Sequence, residues 1–382
     1  MSLIASAFWL MAIVGCLYTL AALACLIRFA CQPGSEAIIH PTVTVLKPLH
    51  GDEPLLFDNL ASVLRQTYAG AVSVICGVAD AADPAVDVVE RLRAAFPDAD
   101  LRLVVDGRRH GRNGKVSNLI NMSREIAGDV VVLADSDMRV EPNYLSDVVG
   151  ALQRPGIGAV TCLYRGLSLP NLWSRLATGW VDGQFLPNVV LGLALGMAKP
   201  CMGSTIAMTR DTLGRIGGFD AFKDHLADDY EIGAAVRRLG LTVAVPARPV
   251  LAHTSASTSL AALLRQEGRW SRTIRAVDPA GFAGSIVTHV LPFAILAALA
   301  DGLQRRDWVL LGVVLALRIT LALSVKRYVR KDTADLILLP LRDVLSFAVF
   351  LGSFWPGSID WRGHRFRVGH DGILTAPDHT GP

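Results

Sequence analysis

Residues 130–137 read Val130-Val131-Val132-Leu133-Ala134-Asp135-Ser136-Asp137. Four aliphatic residues in a row form a strand buried on both faces. The two carboxylates that follow close it in a polar turn. Toward the N-terminus the same pattern recurs. Val43-Thr44-Val45-Leu46, Val72–Val78 and Leu101–Val105 are three further apolar runs, with helical spacing near 53–66, 84–96 and 116–126 between them. Strand alternating with helix predicts an α/β domain over 40–280, with a Rossmann-like, mainly parallel sheet and helices on both faces. Ligands of such sheets bind beyond the carboxyl ends of the strands, and the acidic residues of this chain lie there.

The flanks are of another kind. Of 382 residues, 52% are hydrophobic and only 19% are charged, against about 25% in soluble proteins. That balance excludes a disordered chain and argues against an ordinary soluble enzyme. A net charge of +3, from 37 basic and 34 acidic residues, offers no footprint for nucleic acid. Residues 2–27 carry no charge and stop at Arg28, which suffices for a span of about 20 residues. A cleaved signal peptide wants a basic start, and no charge precedes Arg28. The segment 1–30 is therefore read as an uncleaved transmembrane anchor. A C-terminal membrane region over 285–355 offers two or three spans, at 285–301, 308–325 and 335–355. The basic linker Lys326-Arg327-Tyr328-Val329-Arg330-Lys331 places the 40–280 domain on the cytoplasmic side by the positive-inside rule. Pro340, Arg342 and Asp343 leave 335–355 open, as a span or as an interfacial segment. A basic, aromatic tail fills 356–382. The six cysteines form no C-x-x-C pair, so neither a disulfide framework nor a zinc site is expected.

Four acidic or mixed motifs carry chemistry. Asp80 follows the second strand, where an Asp is as often a helix cap, and Asp83 is the better cap. Asp135 and Asp137, at i and i+2 after a buried strand, can both reach one hard cation, Mg²⁺ or Mn²⁺, shared with a diphosphate. Asp228 and Asp229 open a helical stretch. There they either complement its dipole or supply a general base. Gln266, Arg269 and Trp270 share a helix face and could offer donors to a leaving diphosphate, or anchor an interfacial helix. Gly107–Lys115 is glycine-rich and basic but is not a P-loop, because Arg109 stands where the first glycine belongs and Val116 replaces Ser or Thr. Lys115 can still hold a phosphate. His253 reads as a structural histidine. The uncharged stretch 185–198 is too short to span and reads as buried or interfacial.

The order of these motifs resembles the inverting glycosyltransferases with a GT-A fold, and within them the ceramide glucosyltransferase family. The phrases that carry the resemblance are Lys47-Pro48-Leu49, Asp80-Ala81-Ala82-Asp83-Pro84-Ala85, Lys115-Val116-Ser117-Asn118-Leu119, Asp135-Ser136-Asp137-Met138-Arg139-Val140 and Ala227-Asp228-Asp229-Tyr230. Thr161–Gly166, Phe185–Val189, Gly203–Ala207 and Thr273–Gly281 are similar to a bacterial branch associated with hopanoid biosynthesis. The resemblance implies a UDP-sugar donor and a membrane-lipid acceptor. The acceptor is expected to be a hopanoid, with N-acetylglucosamine as the sugar, or alternatively ceramide, with glucose. It further implies that Asp80, Lys115, Asp135 and Asp228 contact the nucleotide sugar, and that Asp135 and Asp137 hold Mg²⁺ or Mn²⁺. Asp229 is implied as the catalytic base, with Gln266, Arg269 and Trp270 closing over the reacting groups. A bacterial cytoplasmic membrane is the implied location. A processive polysaccharide synthase would need more spans for a polymer channel. An inactive nucleotide-binding scaffold would not keep all four motifs.

Overall fold

The computed structural model describes residues 2–330 and 335–355, with three short strands at 359–361, 364–368 and 374–375. The rest of the expected 356–382 tail lies outside the described residues.

Ten strands build the α/β part: β1 (Val43–Pro48), β2 (Val72–Val78), β3 (Asp100–Val105), β4 (Val130–Leu133), β5 (Met138–Arg139), β6 (Ile157–Thr161), β7 (Tyr164–Ser168), β8 (Ile206–Thr209), β9 (Thr242–Ala244) and β10 (Leu251–Ser255). The main sheet has the order β3-β2-β1-β4-β8-β6-β9. Its first four strands are parallel, with Val43 in register with both Val72 and Val130. This register brings the carboxyl ends of β1, β2 and β4 to one edge. β8 alone runs antiparallel to its neighbours. A second sheet sets β10 between β5 and β7.

Burial explains the unbroken apolar runs. Val43, Val45, Val74, Val130 and Val132 face one core, whereas Leu46, Ile75, Val131 and Leu133 face the other. Successive side chains alternate between faces, and both faces are covered. The helices are α1 (Leu3–Ala30), α2 (Leu56–Leu64), α3 (Ala85–Ala95), α4 (Gly114–Met122), α5 (Tyr144–Leu152), α6 (Leu172–Trp180), α7 (Leu186–Ala194), α8 (Arg210–Arg215), α9 (Asp228–Arg238), α10 (Leu260–Val277), α11 (Pro279–Gly284), α12 (Val290–Asp301), α13 (Arg305–Val329) and α14 (Leu339–Gly352). A π-helical turn, Val181–Phe185, joins α6 to α7.

Among the described residues two single helices, α1 and α13, are long and apolar enough to cross a membrane. The segment 285–301 is bent: a helical stretch at Pro279–Thr288 meets α12 at 60°, and the two together are apolar and long enough to count as a broken span. Pro292 lies in the first turn of α12 and cannot donate a backbone hydrogen bond across the junction, so the helix breaks before it. The second expected span, 308–325, lengthens to 25 residues and takes in most of the basic linker. The third, 335–355, contains a helix of 14 residues, about 21 Å long and shorter than a bilayer core. The 185–198 stretch holds α7, whose Leu186 and Val190 are buried against Leu26 of α1 and Leu321 and Val325 of α13.

Candidate active site

The turn between β4 and β5 carries Asp135 and Asp137. Lys47, fully buried at the end of β1, donates from Nζ to the Asp135 carbonyl at 2.8 Å. Burial pushes this lysine down to about 8, opposed by the carboxylates of Asp135 and Asp137. Asp135 Oδ1 lies 2.6 Å from Lys115 Nζ. Lys115 sits in the first turn of α4, next to the cap residue Asn113, whose Oδ1 accepts from Val116 N at 3.1 Å. The Asn113 amide donates to Asp228 Oδ1 at 3.2 Å, and Asp228 Oδ2 lies 3.7 Å from Lys115 Nζ. The glycine-rich basic loop thus ends in a helix start that clamps two carboxylates.

Asp137 turns the other way. Its Oδ2 lies 3.1 Å from His253 Nε2 on β10. His253 is pulled up by Asp137, against its burial. Asp137 is held below the ordinary carboxylate range by His253, against desolvation, whereas desolvation and Asp137 raise Asp135. Asp137 Oδ1 is sealed from solvent with no hydrogen-bond partner. A hard divalent cation shared with a diphosphate would satisfy that oxygen. Among the described residues, no three His, Cys, Asp or Glu side chains gather into a metal-holding group, so a cation here would need oxygens from its substrate.

Asp229 opens α9. Its Oδ1 accepts from Tyr230 N at 2.8 Å and its Oδ2 from Gly203 N at 3.0 Å. Desolvation and neighbouring Asp228 push it up to about 6, although Lys115 and the two backbone donors pull the other way. Asp229 lies in the first turn of α9 and complements its dipole, but no side-chain hydrogen bond caps the helix. Gly203 also sets the spacing: a Cβ there would lie 2.8 Å from Asp135 Oδ2 and 3.1 Å from Lys115 Nζ.

Helix α10 presents Gln266, Arg269 and Trp270. Gln266 Oε1 accepts from Ser257 Oγ at 3.1 Å. Trp270 packs 5.9 Å from His253 and 5.3 Å from Trp180, centroid to centroid. Phe185 and Tyr164 complete a closed circuit of five rings back to His253. Between Gln266 and Arg269 on α10, Glu267 is buried and forms a bidentate pair with Arg342 of α14, both contacts at 2.8 Å.

The structure thus brings Lys115, Asp135, Asp137, Asp228 and Asp229 into one cluster and joins Trp270 to it through His253. Asp80 stands apart. It is exposed just beyond β2, and its Oδ1 accepts from Ala82 N at 2.9 Å. Asp83 receives the N–H groups of Ala85 and Gly51, as a cap that also ties two loops. Three residues, Lys47, Glu267 and Arg342, have no place in the site by the sequence, and a fourth, His253, reads there only as a structural histidine although it contacts Asp137. A lysine inside an apolar strand was the available signal for Lys47. Nothing local marks the other three, because their partners are distant in the chain.

Residues 7–374 match the profile of glycosyl transferase family 21. Ceramide glucosyltransferase 1 of Caenorhabditis elegans is 24% identical over 240 residues, 63% of this chain and 51% of that protein. Ceramide glucosyltransferase 3 of the same organism is 22% identical over 354 residues, 88% of this chain and 75% of that protein. The chain thus spans about half the length of the first relative. A solved mannosyltransferase from Pyrobaculum calidifontis, in complex with GDP-Man and Mn²⁺, superposes with a TM-score of 0.52 at 21% identity, covering 84% of this chain and all of that one. The likeness shows the fold to be that of a GT-A glycosyltransferase. With nearly the whole sequence matched, the chain belongs to glycosyl transferase family 21.

Proposed function

We propose that the protein is a membrane-bound, inverting glycosyltransferase that moves a hexose from a UDP-sugar to the hydroxyl of a membrane lipid. The observation that carries this reading is Asp229. It is a half-buried carboxylate made more basic by its surroundings, beside a Lys115–Asp135 pair, on a domain packed against membrane-length helices.

Asp229 takes the proton of the acceptor hydroxyl. The freed oxygen attacks the anomeric carbon, the bond to the diphosphate breaks, and UDP leaves from the opposite face. The product is a β-glycoside. The backbone N–H groups of Gly203 and Tyr230 aim the carboxylate, and its elevated pKa suits a base working near neutrality. Lys115 reaches the diphosphate, and Asp228 and Asn113 hold that lysine in place. Asp80 contacts the uridine from the end of β2. Asp135 and Asp137 would hold Mg²⁺ or Mn²⁺. When bound, such a cation neutralises the charge of the departing diphosphate. Arg269 adds positive charge where negative charge develops, while Gln266 and Trp270 close over the acceptor.

For the specific pair we favour N-acetylglucosamine and a hopanoid, on the Thr161–Gly166, Phe185–Val189 and Gly203–Ala207 phrases. The names of the relatives favour glucose and ceramide as the second reading. We assign 40–280 to the cytoplasmic face of a bacterial inner membrane. Arg28, Lys326, Arg327 and Arg330 gather at the ends of α1 and α13 that adjoin this domain. The test is sugar transfer in purified membranes. UDP-glucose and UDP-N-acetylglucosamine are each offered with ceramide or bacteriohopanetetrol, with Asp229→Asn as the blank. N-acetylglucosamine on the hopanoid is the expected product. Glucose on ceramide would keep the mechanism and replace the substrates. Transfer undiminished by Asp229→Asn would overturn the mechanism.

A further inference from the structure

A cavity of about 340 Å³ opens where the two spanning helices end. Val329 and Arg330 at the close of α13 line it, as does Gly34, four residues beyond α1. The ends of the two helices meet here, with the Phe29 and Tyr328 rings 6.2 Å apart. The cavity is therefore level with the bilayer's polar headgroups.

Three guanidiniums face it, from Arg165, Arg248 and Arg330. Among the described residues none of the three is in a salt bridge. Arg248 is held by Tyr328, over whose ring it lies at 5.0 Å and to whose carbonyl it donates. Burial and the nearby Arg330 act against its charge and prevail over Tyr328, Asp147 and Glu141, which favour it. The acids of the cavity do not balance this set. Glu141 and Asp147 line it, but Asp147 is buried, accepts from Asn143 Nδ2 at 2.7 Å, and is pushed up by its burial and by Glu36. Converging arginines with no carboxylate in contact are the arrangement that binds a phosphate group.

We propose that this cavity binds the phosphodiester headgroup of an anionic membrane phospholipid, with its acyl chains lying along α1 and α13. The site is independent of the reaction and of the identity of the acceptor. Anionic lipids enrich the cytoplasmic leaflet, so such a site would also seat the domain on that surface.

The test is native mass spectrometry of the full chain, purified in detergent and given phosphatidylglycerol and phosphatidylcholine in equal amounts. Retention of phosphatidylglycerol over phosphatidylcholine is expected. Arg165→Gln and Arg330→Gln should each lower that preference about fivefold. Arg28→Gln, an exposed charge at the end of α1 outside the cavity, should leave it unchanged. Arg248→Gln risks the fold through Tyr328, and the two other variants do not depend on it. Equal retention of the two lipids would overturn the proposal. So would equal losses in Arg28→Gln and Arg330→Gln, which would mark diffuse attraction. Inorganic phosphate is the second probe. Its displacement of the phospholipid at millimolar concentration would assign the cavity to a free anion instead.

Discussion

Asp229 carries a charge that its surroundings oppose, and the opposition has two measurable consequences. Its folded-state pKa, about 6, stands above the ordinary 3.8 because of desolvation and Asp228. The folded protein therefore binds this proton more tightly than the unfolded chain does. At this group, stability is greatest below the unfolded value and falls as pH rises through the folded one. Asp229→Asn removes the charge but leaves one of the Tyr230 and Gly203 N–H groups without its acceptor. It should lower kcat about 10²- to 10⁴-fold, read in initial rates, while thermal unfolding of the wild type reads the loss of stability at this group as pH rises through about 6. In the wild type, kcat/KM should rise with pH through about 6 and level off above, because only the ionised carboxylate accepts the hydroxyl proton. A profile flat from pH 5 to 8 would remove Asp229 from the base role. Gly203 tests the neighbouring geometry. Its missing Cβ keeps 2.8 Å clear to Asp135 Oδ2, so Gly203→Ala must displace the carboxylate or Lys115. We expect a raised KM for the nucleotide sugar, with overpacking costing about 1–3 kcal/mol in stability.

At the scale of elements, the Glu267–Arg342 pair couples the helix that bears Gln266, Arg269 and Trp270 to α14. Both side chains are nearly inaccessible, and Arg342 also donates to the Leu176 carbonyl at 3.2 Å and to Ser346 Oγ at 3.0 Å. Removing one partner leaves an uncompensated buried charge, at about 3–5 kcal/mol. Glu267→Gln and Arg342→Met should each destabilise strongly and lower kcat, whereas the double variant Glu267→Met/Arg342→Met should regain much of the stability. A double-mutant cycle in thermal unfolding reads this coupling, and additive losses would refute it. None of it is visible in the chain, since the partners stand 75 residues apart. What could be read was local. Apolar runs alternating with helical spacing gave away β1 to β4 and α2 to α4 because both sheet faces are covered. β5, β7 and β10 carry Arg139, Arg165, Ser168 and His253-Thr254-Ser255, which break the apolar run that marks β4, so the sheet that delivers His253 to Asp137 was hidden. The 285–301 run is mostly apolar, and hydropathy alone cannot see the 60° bend before Pro292.

For the whole molecule, the question is which side of the membrane holds the Asp135–Asp229 cluster. The cysteines permit a direct answer. Cys76, Cys162 and Cys201 are buried, Cys16 and Cys25 lie within α1, and Cys31 is exposed one residue beyond that helix. A charged maleimide that cannot cross a bilayer therefore meets one accessible thiol among the described residues. That thiol sits at the end of α1 that packs against Tyr328 and Val329 of α13 and adjoins the α/β domain. Arg28, Lys326 and Arg327 cluster at the same level, and such basic residues are retained on the cytoplasmic side. Cys31 should therefore resist labelling in intact cells and react in inverted membrane vesicles, with Cys31→Ser abolishing the signal in both. The opposite pattern would put Asp229 and Lys115 outside the cell. A nucleotide sugar made inside would then have to cross the membrane to reach them, and the proposed donor would have to be abandoned along with the topology. Labelling thus tests the donor and the orientation together, because a charged diphosphate crosses a hydrocarbon core no more readily than the maleimide does.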